Sequence, residues 1–289
     1  MRPSAVAAVL VGLALALGAG ASPPAAADTA KALFGAVSRP SPHDPTPIGR
    51  NAQGCLAGGV ALPESGPTWQ EMRLSRNHYW GDPSLIDFIR RYSAQARKVG
   101  WQGLYIGDLS QPRGGPVGGH ASHQTGLDVD IWLNPALRLD LSPAERETVS
   151  AISILGRDKR TLNRNWGPAQ AFLLEAAARD PKVERIFITA PAKLALCADA
   201  GPGDAAWLRK VRPWWGHDDH MHVRLNCPRG VAGCVQPDPL PPGDGCRDAV
   251  WWVTEALEPP DPNAPPPKPR PPLQLSDLPR QCADVLQAR

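Results

Sequence analysis

Histidines and acids are concentrated in two short stretches of this 289-residue chain, Gly118–Asp130 and His217–His222. Five of the seven histidines lie there, and each stretch also carries two aspartates. Imidazole nitrogens and carboxylate oxygens at close spacing are the ligands that a hydrolytic zinc centre uses. The pattern therefore predicts a metal-dependent hydrolase, whereas His43 and His78 have no such neighbours and are given no role.

The first stretch ends in a predicted strand, Leu127–Leu133, in which apolar residues alternate with Asp128 and Asp130. His123 precedes this strand in a glycine-bounded turn, seven residues before Asp130. His123 and Asp130 are therefore predicted metal ligands. Asp128 is the alternative to Asp130, because both carboxylates lie on the same face of the strand.

The second stretch runs into another predicted strand, His220–Leu225, with His220, His222 and Arg224 on one face. If this strand pairs antiparallel with the first, His222 converges on the two earlier ligands as the third. Three protein ligands leave the fourth position of a tetrahedral zinc ion open for water, which is the catalytic arrangement.

Several polar residues beside these ligands are candidates for other roles. His220 lies roughly 6–7 Å from His222 along the strand and is predicted to act as general base or to stabilise the oxyanion. His120 and His217 could orient ligands or bind substrate, and Arg224 could bind a substrate carboxylate.

The other acids and aromatic residues nearby receive simpler interpretations. Asp218 and Asp219 could modulate the site but are interpreted first as solvated turn residues, and Asp108 is interpreted as a loop or capping residue. Core or sheet-edge packing is the first interpretation of the tryptophans, and Trp214–Trp215 could line a wall of the cleft. A serine hydrolase is disfavoured, because the chain has no Gly-x-Ser-x-Gly motif and Ser122 has no oxyanion motif beside it. Metal-activated water is the better hypothesis.

Residues 1–27 have the pattern of a secretory signal peptide, with Arg2, an apolar run over Ala5–Ala19, and Ala25–Ala27 before Asp28. The apolar run is too short to span a bilayer, so we expect an exported, soluble protein without stable membrane insertion. Net charge is only +3 with no run of Lys or Arg, which excludes nucleic acid as an expected partner.

Cysteine usage agrees with export. An even number of cysteines in an exported chain favours disulfides over free thiols, although six cysteines permit many pairings. The six are Cys55, Cys197, Cys227, Cys234, Cys246 and Cys282. A bridge from Cys227 to Cys234 could close a short loop, and Cys55 and Cys282 lie near the two margins of the chain.

Composition divides the mature chain into three parts. Residues 28–54 are rich in Pro, Ser and Ala and predict an extended entry segment, residues 55–258 form one domain, and residues 259–289 are a proline-rich tail tied back through Cys282. Helix and strand signals mix without regular βαβ alternation, which predicts an α+β domain with a central antiparallel sheet flanked by helices. Helices are predicted over Asp82–Gly100, Ser142–Leu155, Pro168–Ala178, Leu194–Ala198 and Trp207–Val211, and further strands over Gly103–Gly107 and Arg185–Thr189.

Three segments, Gly118–Asp130, Trp207–Trp214 and His220–Arg224, resemble motifs of the penicillin-insensitive murein endopeptidases. That family belongs to the wider lysostaphin, D-Ala-D-Ala peptidase and hedgehog-type group of metallopeptidases. The resemblance covers about Cys55 to Cys282 and implies that group's fold. It also implies a periplasmic zinc D,D-endopeptidase that cuts the D-alanyl–meso-diaminopimelyl cross-links of peptidoglycan.

The resemblance also assigns roles to residues. The implied metal ligands are His123, Asp130 and His222, the catalytic histidine is His220, and His120 and His217 line the cleft. The implied disulfides are Cys55–Cys282, Cys197–Cys246 and Cys227–Cys234. Some family members carry an Asp-x-x-His segment after the first motif, but here Gly156–Arg160 offers only Asp158. The resemblance therefore implies one zinc ion per chain and gives no support for a second metal.

Two other functions stay open at this stage. One is a D,D-carboxypeptidase or dipeptidase on the same zinc site, which needs a cleft closed at one end. The other is a non-catalytic wall-binding module that keeps zinc only as a structural clip, against which the presence of His220 argues. The oligomeric state is open as well, a homodimer included.

Overall fold

The computed structural model describes residues 28–259, 261–265 and 268–289, so the predicted signal peptide lies outside the described residues. The strands are β1 (Thr46–Arg50), β2 (Gln53–Ala57), β3 (Val60–Ala61), β4 (Ser65–Gly66), β5 (Trp69–Glu71), β6 (Trp80–Gly81), β7 (Leu104–Ile106), β8 (Asp128–Trp132), β9 (Val183–Ile188), β10 (Val211–Pro213) and β11 (His220–Leu225). The helices are α1 (Ala30–Gly35), α2 (Pro83–Tyr92), α3 (Pro143–Thr148), α4 (Pro168–Arg179), α5 (Ala190–Ala198), α6 (Ala205–Leu208), α7 (Cys246–Val253) and α8 (Gln281–Gln287). Short 3-10 helices cover Leu74–Arg76, Ser93–Val99, Glu255–Leu257 and Leu275–Asp277.

Seven strands form one mixed sheet in the order β10-β9-β11-β8-β7-β5-β4. The pairs around its centre, β9–β11, β11–β8 and β8–β7, are antiparallel, but β9–β10 and β5–β7 are parallel. The predicted α+β single domain is confirmed, whereas a purely antiparallel sheet is wrong. Helices α5 and α6 connect β9 to β10, and α2 lies between β5 and β7, which supplies the long crossover that a parallel pair requires.

Strands β8 and β11 alternate as predicted, with one face packed in the core and the other carrying the polar residues. The apolar face is formed by Val129, Ile131, Met221, Val223 and Leu225, none of them more than 1% exposed. The register places His222 opposite Asp130 and Arg224 opposite Asp128. A slip by one residue would turn the apolar face out of the core, where each side chain contributes roughly 1.5–3 kcal/mol. Core packing therefore fixes the polar pairs.

The predicted elements differ most from the structure at three helices. Of the predicted helix Trp207–Val211 only the first two residues belong to α6, because Val211 begins β10, and the helix predicted over Asp82–Gly100 continues beyond Tyr92 as a 3-10 helix.

The third difference is at α3. Ser142 and Glu145 form the predicted capping box, but the helix ends at Thr148 instead of Leu155. The chain becomes extended at Val149 (ψ 133°). Ile154 is fully buried and its N–H donates to the carbonyl of Asp218 at 2.7 Å. This packing draws the segment after α3 toward the second histidine stretch.

The N-terminal segment is more ordered than its composition predicts. Residues 28–54 contain helix α1 as well as the extended strand β1, which pairs antiparallel with β2. A second hydrophobic cluster joins α1, β2 and α8, with Phe34 and Cys55 fully buried in it. The part of the tail from 259 to 272 that the structure describes has no helix or strand. In the described ranges, no helix has the length and apolar character needed to cross a bilayer.

Three disulfides close the fold, and they are the pairings that the family resemblance implies. Cys55–Cys282 joins β2 to α8, Cys197–Cys246 joins α5 to α7, and Cys227–Cys234 closes the loop after β11. The tail is thereby tied back to the β1–β2 hairpin through Cys282.

Removing the longest-range disulfide should destabilise the protein most. The loop-entropy model makes the Cys55–Cys282 bridge, which spans 227 residues, more stabilising than the 7-residue Cys227–Cys234 bridge by about 3 kcal/mol. We expect the C55A/C282A variant to unfold at lower urea concentration than C227A/C234A, measured by far-UV circular dichroism. Equal midpoints in the two double variants would contradict this.

Candidate metal centre

Asp130 on β8 is a buried carboxylate on which four imidazoles converge. Its Oδ1 lies 3.1 Å from His222 Nδ1, 3.3 Å from His123 Nε2 and 3.7 Å from His220 Nε2. Its Oδ2 lies 3.6 Å from His120 Nδ1. Burial would raise the pKa of Asp130, but His123 and His220 outweigh burial and hold the pKa well below its usual range. The structure thus brings the three expected ligands together, and His120 faces the same point.

The geometry and the chemistry of this group fit a metal ion. Candidate ligand atoms of His120, His123 and Asp130 all lie within 4.8 Å of one another. A tetrahedral zinc ion with bonds of about 2.0–2.1 Å separates its ligand atoms by about 3.3–3.4 Å, close to the distances around Asp130. Both ring nitrogens of His123 and Oδ1 of Asp130 are buried without a hydrogen-bond partner. Unpartnered buried polar atoms are rare and costly, so the approach of His123 Nε2 to Asp130 Oδ1 at 3.3 Å, with neither atom partnered, fits a cation site.

His222 is oriented toward this point by Asp128. Its Nε2 donates to Asp128 Oδ1 at 2.8 Å, a hydrogen bond that assigns the tautomer and leaves Nδ1 facing Asp130. Asp128 also accepts from Arg224 Nε at 2.6 Å and from Asn51 Nδ2 at 3.0 Å. Burial would raise the pKa of Asp128, but Arg224 and His222 lower it well below its usual range. Since its oxygens are occupied, Asp128 fits an orienting role better than that of a ligand.

His120 has a matching carboxylate on its other side. Asp108 Oδ2 lies 3.0 Å from His120 Nε2 and accepts from Arg76 Nη1 at 2.7 Å, while Oδ1 lies 3.4 Å from His78 Nδ1. Burial would raise the pKa of Asp108, but these three neighbours lower it well below its usual range. Asp108 lies in the loop after β7, as interpreted, and these contacts give it a further role in holding His120. His78, which had no expected role, contacts the same carboxylate.

The loop that carries His123 is held by the β1–β2 hairpin. His123 adopts a left-handed φ of 65°, which costs on the order of 1–2 kcal/mol in a residue with a side chain. Its N–H donates to Asp128 Oδ2 at 3.3 Å. The next residue, Gln124, accepts from the N–H of Gly54 at 3.1 Å and donates its own N–H to the carbonyl of Asn51 at 3.2 Å. These contacts fix His123 despite its strained backbone.

His220 and His217 have different electrostatic environments. Burial would lower the pKa of His220, but the carboxylates of Asp130 and Asp219 raise it to about 9. Asp219 Oδ1 lies 2.6 Å from His220 Nδ1 while its side chain stays 40% exposed, which agrees with the alternative that this bend residue modulates the site. His217 Nδ1 donates to the carbonyl of Trp215 at 2.8 Å. Burial and the two neighbouring imidazoles lower the pKa of His217 to about 3, which keeps its ring neutral.

The open side of the group is a cleft of about 350 Å³ whose lining includes His120, His220, Arg73 and Arg76. Arg224, expected to bind a substrate carboxylate, lies outside this lining and donates to Asp128. The two arginines of the lining present cationic groups to the cleft instead.

Asp158, the weak candidate for a second metal, lies away from this centre. Its carboxylate accepts from the backbone N–H groups of Arg160 and Thr161, so it closes its own turn. Within the ranges that the structure describes, no second metal-binding group forms around it.

Asp219, Asp108 and Asn51 support the residues of the metal centre, and the sequence indicates them with different strength. Asp219 directly precedes His220, which suggested that it could modulate the site. Asp108 follows strand β7, and a polar residue after a buried strand is a weak signal. Asn51 is 77 residues from Asp128, and no local pattern connects the two.

Comparison with known proteins identifies a family to which the chain is similar. The family model described as penicillin-insensitive murein endopeptidase (Peptidase_M74) matches residues 47–287. A protein of that name from Haemophilus influenzae is 39% identical, covering 81% of this chain and 82% of its own. Relatives of the same name from Klebsiella pneumoniae and Yersinia pestis are 43% and 41% identical, covering 83% and 86% of this chain and 87% and 88% of their own.

The two outer carboxylates give a direct test of the centre. We expect D128N to weaken zinc binding by about 10–100-fold, because the neutral amide keeps only one acceptor oxygen and holds the N–H of His222 more weakly than the carboxylate does. The matched variant D108N should weaken binding less, because the His120 nitrogen lies farther from Asp130 than that of His222. Competition with a fluorescent zinc chelator measures both affinities, with the thermal midpoint as folding control. Unchanged affinity in D128N would contradict the assignment.

Proposed function

The chain belongs to the penicillin-insensitive murein endopeptidase family and is thus a murein peptidase, and we propose that it is a zinc-dependent D,D-endopeptidase. The proposed reaction is hydrolysis of the D-alanyl–meso-diaminopimelyl cross-links of peptidoglycan. The observation that supports it best is the convergence of four imidazoles on the buried carboxylate of Asp130, whose Oδ1 has no hydrogen-bond partner, at the base of an open cleft.

The proposed ligands are His123, Asp130 and His222. Neutral imidazole and carboxylate are ligands that zinc accepts, and Asp128 fixes the tautomer of His222 that directs Nδ1 inward. Nδ1 of His120 is a further nitrogen that faces Asp130, and Nε2 of the same ring lies 3.0 Å from Asp108 Oδ2. When bound, the cation supplies a Lewis acid that polarises the scissile carbonyl and lowers the pKa of water.

His220 is the proposed proton carrier. Asp219 accepts from Nδ1–H, so Nε2 is the nitrogen that faces the Asp130 side of the cleft. With a cation bound, the charge of Asp130, which contributes most to raising the pKa of His220, would be compensated, and the neutral ring could take the proton of the attacking water at Nε2 and deliver it to the leaving amine. His217, expected to line the cleft, lies outside its lining; its ring stays neutral with its centroid 5.1 Å from that of His220, and we propose that it packs beside His220.

The proposed location is the periplasm, after export through a signal peptide over residues 1–27. Three disulfides support this location, because such bridges persist in oxidising compartments and are rare in the cytosol. Peptidoglycan is then the substrate within reach.

A D,D-carboxypeptidase on the same zinc site is the second candidate. The guanidinium groups of Arg73 and Arg76 in the cleft lining favour it, because they suit the free carboxylate at the end of an uncross-linked stem peptide. They also suit the side-chain carboxylate of diaminopimelate, so the products decide between the two reactions.

Truncation of His220 should separate metal binding from catalysis. We expect H220A to lose about 10²–10⁴-fold in kcat on cross-linked muropeptide dimers, the usual contribution of general acid–base catalysis, while its zinc content stays near one per chain. Elemental analysis and chromatographic turnover assays measure the two quantities. The exposed His43 provides the matched control H43A, which should keep both. Turnover in H220A close to that of the unmodified protein would refute the proposed role.

The products formed with and without a chelator test the bond and the metal. We expect cross-linked dimers to give monomers carrying one added water by mass spectrometry, with pentapeptide monomers left intact. A chelator should stop the reaction and added zinc should restore it. Faster release of D-alanine from pentapeptides would favour the carboxypeptidase, and hydrolysis that ignores the chelator would exclude the zinc mechanism.

A further inference from the structure

Four tryptophans beside the candidate metal centre form an exposed aromatic surface, which we call the tryptophan platform (Trp214, Trp215, Trp251 and Trp252). Three of the side chains are 51–53% exposed. Trp252 is partly buried between the others, with ring centroids 5.7 Å from Trp214, 4.9 Å from Trp215 and 5.5 Å from Trp251. Clustered exposed indoles are costly in water, and such patches usually mark a binding surface.

The platform is rigidly attached to the fold, although α7 is a short helix near the surface. The Cys197–Cys246 disulfide ties the first residue of α7 to α5. Just before α7, the carbonyl of Asp244 accepts from Nζ of the fully buried Lys193 at 2.7 Å. Arg212 on β10 lies 3.2 Å from Asp248 within the helix. Because α7 and its neighbours are already fixed in the folded protein, a ligand that binds to the platform costs little conformational entropy.

The platform continues the cleft of the metal centre. Trp214, Trp215 and Trp252 line a cavity of about 420 Å³, and Gly216 and Asp218 belong both to its lining and to that of the catalytic cleft. Phe187 connects the two regions, with its ring centroid 5.8 Å from that of Trp214 and 5.5 Å from that of His222. A polymeric substrate can therefore contact both at once.

The chemistry of murein favours one occupant. Its stem peptides carry small or charged side chains that gain little from indoles, whereas its sugars present flat C–H faces that stack on aromatic rings. Lys159 and Asp218 at the rim of the cavity offer partners for the hydroxyl and acetamido groups. A four-residue stem peptide spans at most about 13–14 Å. The distances from the Trp214 ring to Phe187 and from Phe187 to the His222 ring are 5.8 Å and 5.5 Å, so a stem peptide is long enough to extend from the platform to the metal centre.

We propose, on the basis of the proposed function, that the tryptophan platform binds the glycan strand of peptidoglycan beside the cross-link being cut. The indole faces of Trp215 and Trp252 stack on the amino-sugar rings. The glycan chain then anchors the substrate while the stem peptide reaches the metal centre.

Binding of peptide-free glycan strands to the full zinc-loaded chain tests this directly. We expect binding by the unmodified protein, and at least about fivefold weaker binding by W215A and W252A, in line with aromatic anchors of other interfaces. W215F keeps a ring and should retain most of the affinity. The control L137A removes a side chain that is 65% exposed elsewhere and should change nothing. Thermal midpoints identify any variant that fails to fold, and for such a variant the Phe substitution replaces the Ala one.

A kinetic comparison separates this inference from the proposed function. We expect W215A and W252A to lose several-fold more kcat/KM on intact sacculi than on sugar-free cross-linked peptide dimers. If the unmodified protein cannot cut the dimers, the proposed function fails, while glycan binding still decides the role of the platform. Equal losses on both substrates, or unchanged glycan binding, would overturn the inference. Loss of binding to anionic lipid vesicles without loss of glycan binding would also overturn it and would identify a membrane contact.

Discussion

The buried charge of Asp130 is the constraint that the surrounding structure satisfies. Placing a carboxylate in the interior costs several kcal/mol unless partners compensate. Those partners come from separate segments, with His123 on the loop before β8 and His222 on the adjacent strand. The antiparallel register puts His222 opposite Asp130, and core packing on the other face of both strands holds that register. The position of the site is therefore determined by hydrophobic burial as much as by the polar groups.

Charge balance explains the order of the groups around this carboxylate. The two outer carboxylates, Asp108 and Asp128, are paired with the guanidiniums of Arg76 and Arg224. Asp130 has only imidazoles around it. A divalent cation would supply the missing positive charge and would allow those imidazoles to remain neutral, which is the form that binds metals. Each outer carboxylate also holds one nitrogen of a histidine whose other nitrogen faces Asp130. The arrangement thus serves orientation and neutrality at once.

Local patterns predicted the part of the site that lies on strands, because alternation determines which of two faces a side chain occupies. Asp130 and His222 were found in that way, and the prediction of antiparallel pairing between their strands is confirmed. The hydrogen bond between Asn51 and Asp128 could not be found, because it joins residues 77 positions apart in a segment whose composition suggested an extended chain. The parallel strand pairs at the two flanks of the sheet, β9–β10 and β5–β7, could not be predicted from alternation, because they depend on which strands the connecting helices place side by side. Helix α3 ends early because Ile154 makes a tertiary hydrogen bond with Asp218, and the helical periodicity of the sequence gives no information about such a contact.

The size of the cleft limits what the metal centre can recognise. A space of about 350 Å³ accommodates part of a cross-linked peptide but not the polymer to which it is attached. Affinity for a wall polymer must therefore come partly from surfaces beside the cleft, and those surfaces must be rigid to contribute. Disulfides rigidify both sides of this protein: Cys55–Cys282 holds the hairpin behind the His123 loop, and Cys197–Cys246 holds the helix that carries Trp252. Disulfides thus fix the positions of elements at the margins of the fold, and hydrophobic packing fixes the positions of the central strands.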